Sequence, residues 1–104
     1  MIARIWHGRT PVDKADAYAD YIEKTGVREH RSLAGNKGDF VLKRVNAAEG
    51  TADFLVISLW ESMDAVRAYA GDDFEVAVYY PDDDAYLLER EPKVQHYEAV
   101  IRPD

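Results

Sequence analysis

One stretch limits the architecture of this 104-residue chain more than any other: residues 54–60, Phe-Leu-Val-Ile-Ser-Leu-Trp, are apolar on both sides of an extended backbone. Side chains alternate along a strand, so Phe54, Val56, Ser58 and Trp60 share one face while Leu55, Ile57 and Leu59 share the other. A strand of that kind is sandwiched between two layers. A single domain spanning 1–104 can supply helices for one of them. The other layer is expected to come from a second copy of the protein.

Composition narrows the partners. Twenty acidic against thirteen basic residues give a net charge of −7. That balance disfavours binding to nucleic acid or to an anionic membrane, both of which demand phosphate neutralisation. No apolar run approaches the roughly 20 residues of a membrane-spanning helix. The start, Met1-Ile2-Ala3-Arg4-Ile5-Trp6, has no secretory pattern, so a cytoplasmic location is the default expectation. The absence of cysteine excludes disulfides, thiolate metal sites and a cysteine nucleophile. The three histidines lie at least twenty-three positions apart, and no metal or cofactor is expected.

The order of elements follows from periodicity and punctuation. Residues 2–9 alternate as a first strand, with Ile2, Arg4 and Trp6 on one face. Thr10, Pro11 and Asp13 read as a helix start and Gly26 as its stop, with Val12, Ala15, Ala19 and Ile22 at helical spacing between them. Residues 34–39 are expected to turn into a second strand at 40–45, and a hairpin connection at 46–53 leads to the third at 54–61. Ser62 caps the next helix and Gly71 ends it. Asp72 and Asp73 are expected to start a further short helix that Pro81 stops. Residues 82–93 are acidic and irregular with a helical turn near 86–88, and residues 93–102 form the last strand, with Val94, His96, Glu98 and Val100 on one face. Strand, helix, strand, strand, helix, strand is an α+β ferredoxin-like β-α-β-β-α-β unit. The helix-free sheet face is expected to hold Trp6, Phe54, Val56, Trp60, Val94 and Val100, a patch large enough to require a partner sheet and so a dimeric α+β barrel.

Residues 54–62, with Ala65-Val66, Tyr69-Ala70-Gly71 and Ala77-Val78-Tyr79-Tyr80-Pro81, resemble the antibiotic biosynthesis monooxygenase family of dimeric α+β barrels. The resemblance implies a homodimer and cofactor-independent oxygenation of a small aromatic, quinol-like or polyphenolic, substrate. The haem-degrading branch of that family uses an Asn on the first strand, a Trp at the end of the strand before the Glu-Ser corner, and a His on the short helix after the Gly. Trp60 fits the second, but the His would fall near Val78 and residues 2–9 contain no Asn. Haem degradation is therefore not expected.

The residue types that suit phenol oxygenation are present. Trp60 and Trp6 can stack on a planar aromatic, although Trp60 at a strand end is equally a core anchor. His96 titrates near neutrality and is the candidate base that removes a phenolic proton. A His satisfied by Glu98 is the structural alternative. Arg4 or Arg44 would hold the developing oxyanion, unless each pairs with an acid or reaches the rim. Ser58 shares the Trp60 face, and Tyr80 with Tyr79 would form a lid. His7 and His30 read as structural or solvated, and Asp82-Asp83-Asp84 as a solvated, helix-capping run. A barrel that only binds a small molecule, or serves a stress response without turnover, is the alternative function.

Overall fold

The computed structural model describes residues 1–102. Strands β1 (Ile2–Pro11), β2 (Asn36–Asn46), β3 (Thr51–Trp60) and β4 (Gln95–Glu98) form an antiparallel sheet in the order β2-β3-β1-β4. Helices α1 (Ala15–Ile22), α2 (Arg28–Arg31) and α3 (Met63–Ala70), with a single turn α4 (Asp83–Tyr86), complete the α+β ferredoxin-like fold. The two central strands pair from Ile2 opposite Trp60 to Pro11 opposite Thr51. Arg4 thus lies between Ser58 on one neighbour and His96 on the other.

The face assignment is the reverse of the sequence expectation. Phe54 and Trp60 are fully buried, and Val94 nearly so, under the helices. Tyr18 of α1 meets Phe54 edge-on at 5.4 Å. The face without helices instead carries Ile5, Leu55, Ile57 and Leu59, with Phe40 and Leu42 beside them on β2. Phe40 is 52% exposed, Leu42 46% and Leu55 38%. Val100, also expected on the helix-free sheet face, lies beyond β4 and is exposed. Alternation fixes which residues share a face, and a strand apolar on both sides does not say which face the helices take. The larger aromatic set goes where helix side chains can close around it.

Boundaries also differ: the third strand begins at Thr51 inside the expected hairpin connection, and the last strand is confined to Gln95–Glu98 rather than 93–102. The helix expected to begin at Thr10 starts later, because β1 runs on through Pro11 and a 3-10 turn at Val12–Lys14 intervenes. Gly26 does not stop it. A π turn, Glu23–Val27, carries the chain into α2, and the apolar stripe continues through buried Val27 and His30. The second strand begins at Asn36, with a register shift between Asn36 and Gly38, rather than after a free turn. The short helix expected after Gly71 is absent: residues 74–75 form a turn, Val76 bridges Lys93, residues 77–80 have no regular secondary structure, and the Phe74 and Val76 carbonyls accept hydrogen bonds from Arg4 instead of from a helical turn. Elsewhere the punctuation holds. The Ala65 amide donates to Ser62 Oγ at 3.2 Å, and Gly71 ends α3 with φ of 85°.

Candidate functional site

A cavity opens between the helix-covered face of the sheet and the segment 78–80. Arg4, Trp6, Val56 and Ser58 form its floor, and Tyr18, Ile22, the π turn and His30 form one wall. Tyr69, Val78, Tyr79 and Tyr80 form the other. π turns of this sort are frequent at functional sites, and here Thr25, Gly26 and Val27 all reach the cavity. Its room is about 60 Å3. An engineered cavity that admits benzene measures ~150 Å3. A ring-sized ligand therefore requires the Tyr79–Tyr80 segment to move outward, or protrudes through the open side.

Arg4 is the dominant charge. It is only 4% exposed, yet among the described residues no carboxylate lies within ion-pair distance of it. Nη1 donates to the Phe74 carbonyl, Nη2 donates to the Val76 carbonyl at 3.2 Å, and the guanidinium carbon sits 5.6 Å from the Tyr69 ring centre. Burial pulls its pKa down from the usual arginine value, opposed by Tyr69 and Tyr80. A guanidinium has no acceptor and stays cationic, so Arg4 is a buried positive charge whose direct partners among the described residues are neutral groups.

Arg4 also decides the state of His96. Its Nη1 lies 3.1 Å from His96 Nε2, and because arginine can only donate, Nε2 is the acceptor and the imidazole is neutral. Burial first, and then the Arg4 charge, lower the His96 pKa from its ordinary value. The lone pair that would take a substrate proton is engaged, and His96 does not line the cavity. Its partner is Arg4 rather than Glu98, which is exposed.

Trp60 stands behind the wall, stacked on Tyr69 at 5.4 Å and donating from Nε1 to Ser58 Oγ at 2.9 Å. Trp6 does reach the cavity. Its indole folds back over Gly8, where a Cβ would lie 2.2 Å from Trp6 Cη2, and its Nε1 donates to the Tyr79 hydroxyl at 3.3 Å. Arg44 is exposed on the helix-free side of β2, opposite Asp53. Of the sequence candidates, the fold thus brings Arg4, Trp6, Ser58 and Tyr80 together and leaves His96, Trp60, Arg44 and Glu98 outside the cavity lining.

Three contributors, Tyr69, Asp83 and His30, escaped the sequence. Tyr69 and Tyr80 share a hydrogen bond of 2.9 Å, and the Tyr80 hydroxyl donates to Glu29 Oε1 at 3.0 Å. Burial raises the pKa of both phenols, so they are neutral. Asp83, expected in a solvated run, is 4% exposed and accepts from the Tyr18 hydroxyl at 2.9 Å and the Tyr80 amide at 2.6 Å. Burial holds its carboxyl above the usual range despite those donors. His30, read as structural or solvated, is 5% exposed, lines the cavity, and has Nδ1 at 3.2 Å from both carboxylate oxygens of Asp39. The only legible sign was its spacing, three residues after Val27 and eight after Ile22 on the buried stripe. No three His, Cys, Asp or Glu among the described residues gather as a metal site.

No family model matches the sequence, and no curated protein does. Solved structures do. A candidate antibiotic biosynthesis monooxygenase from Nitrosomonas europaea superposes with a TM-score of 0.64 at 13% identity, covering 97% of this chain and 100% of that one. The haem degrader MhuD from Mycobacterium tuberculosis, solved with two haems in its active site, superposes with a TM-score of 0.65 at 16% identity, covering 100% of both chains. At those identities the likeness is one of fold: the chain has the ferredoxin-like architecture of antibiotic biosynthesis monooxygenases.

Proposed function

We propose that the protein is an antibiotic biosynthesis monooxygenase-like oxygenase that oxidises a small phenol or quinol with O2 and without a cofactor. The observation that carries this reading is Arg4, a buried cation without a carboxylate partner among the described residues, in a cavity walled by Trp6, Tyr69 and Tyr80. Desolvating a charge costs several kcal/mol unless something compensates it, and a phenolate oxygen would do so. The same charge favours the ionised over the neutral phenol, which makes the ring electron-rich enough to reduce O2. For a phenol with a free para position the sum is phenol plus O2 to para-quinone plus water. One oxygen atom becomes the new carbonyl, the other leaves as water, and the substrate supplies all four electrons. Trp6 would stack on the ring, Ser58 and Tyr80 would offer hydroxyls, and His96 would hold the Arg4 fork in place.

The exposed sheet face completes the proposal. Phe40, Leu42, Leu55, Ile57 and Leu59 form an apolar surface that a second copy would cover, giving a barrel with one cavity per subunit outside the sheet-to-sheet core.

Thermal-shift titration with phenols, hydroquinones and haem, followed by oxygen uptake, tests the function. A saturable shift with a phenol whose para position is free, uptake of one O2 per para-quinone formed without H2O2, and loss of both in Arg4→Met are expected. A shift without uptake would make the protein a binding module. A shift with haem alone would move it to the haem binders represented by the Mycobacterium tuberculosis neighbour.

A further inference from the structure

The oxygenase reading needs a base, and His96 is not free to be one. His30 is. Both Asp39 oxygens lie 3.2 Å from His30 Nδ1, and Asp39, whose side chain is 1% exposed, also accepts from Asn36 Nδ2 at 3.3 Å. A carboxylate can only accept, so Nδ1 carries a proton, and the lone pair of the ring in its neutral form lies on Nε2. Among the described residues Nε2 has no protein partner, and no fully enclosed side-chain nitrogen or oxygen is left unsatisfied. Nε2 is therefore a nitrogen that water reaches, and the cavity is the space that this ring, 5% exposed, adjoins. The ring is clamped edge-to-face by Tyr69 at 4.5 Å and Trp60 at 5.3 Å. Tyr69 is the same ring that carries the Arg4 guanidinium, so imidazole and cation border one compartment.

We propose that His30, oriented by Asp39, is the general base of this cavity; the proposal rests on the phenol-oxygenase reading above. The substrate O–H bond breaks, an N–H bond forms at His30 Nε2, and the electron pair stays on the phenolate oxygen beside Arg4. The imidazolium that results is balanced by Asp39. O2 then adds at the free para carbon and the His30 proton passes to the distal oxygen, which restores neutral His30. As the para C–H and O–O bonds break and the new C=O forms, the distal oxygen leaves as water carrying that proton and the para hydrogen. Asp39 touches no substrate and is a positioning residue.

Two measurements test the proposal. Oxygen uptake with a phenol whose para position is free should fall about 10^2- to 10^4-fold in kcat in His30→Gln. Substrate Kd should change less than threefold, and imidazole added to His30→Gly should restore part of the rate. Asp39→Asn should lower kcat with little change in KM, and Asp39→Glu should recover part of it. Because His30 packs against two aromatics, the second measurement uses the unaltered protein: 15N NMR of the His30 ring during titration with 4-nitrophenol. Nε2 should acquire a proton as the bound probe turns to phenolate. Normal turnover in folded His30→Gln, or a bound phenolate with Nε2 still unprotonated, would overturn the base assignment and leave the oxygenase reading standing. Absence of binding by any phenol would overturn both.

Discussion

Truncating two neighbours on β3 separates the covered sheet face from the open one. Phe54 is fully buried and meets Tyr18 edge-on at 5.4 Å, so Phe54→Ala removes a whole ring from the helix-covered core. Such substitutions cost about 3–5 kcal/mol. In a domain of this size each kcal/mol shifts Tm by about 4–8 °C, so a drop of at least about 12 °C is expected. Leu55 is 38% exposed on the opposite face. Removing its three outer carbons, at about 0.8 kcal/mol for each fully buried methylene and scaled by the buried fraction, costs about 1.5 kcal/mol within one subunit. Any further cost of Leu55→Ala comes from the partner and grows on dilution, whereas the subunit cost of Phe54→Ala does not. Urea unfolding followed by tryptophan fluorescence at two protein concentrations reads both, since Trp6 and Trp60 sit on the covered face. A near-neutral Phe54→Ala, or a Leu55→Ala as costly as Phe54→Ala at both concentrations, would refute the face assignment.

Tyr18→Phe should cost about 2 kcal/mol near neutral pH by removing a buried donor from a carboxylate, measured by denaturant unfolding. Its cost should shrink in acid. Asp83 has a folded pKa raised by burial, so the folded state binds its proton more tightly, and this group's contribution to stability is lost as pH rises through the raised value. Asp53 behaves oppositely. Asn46 first, then Arg9 and His7, hold its carboxyl below the usual range, so its contribution is present above the ordinary Asp pKa and fades as pH falls; Asp53→Asn should flatten the acid limb of a stability-pH curve. Gly8→Ala should displace the Trp6 indole, whose Cη2 a Cβ would approach to 2.2 Å, costing about 1–3 kcal/mol in thermal unfolding and weakening phenol binding.

The strand-helix order, the Ser62 cap and the Gly71 stop were legible because each rests on local chemistry or a period of two. The choice of covered face was not, since residues 54–60 are apolar both ways. Gly26 misled because a glycine in the helix interior costs only about 1 kcal/mol, less than the burial of Val27 and His30 that follows it. Arg4, Trp6, Ser58 and Tyr80, singled out by alternation and by residue type, all line the cavity. The contact of His96 with Arg4 was not legible because it depends on the pairing of β1 with β4. The His30–Asp39 and Tyr18–Asp83 pairs join segments brought together only by tertiary packing, and no spacing rule marks them.

The ionisation of a bound phenol tests the central claim most directly. Absorbance of 4-nitrophenol, titrated over pH with saturating protein, gives the pKa of the bound probe. A value below that of free 4-nitrophenol is expected, returning to or above it in Arg4→Met as the buried cation is lost. A bound probe whose pKa is unchanged or raised in the unaltered protein would contradict the assignment of Arg4 as the group that holds and stabilises the phenolate.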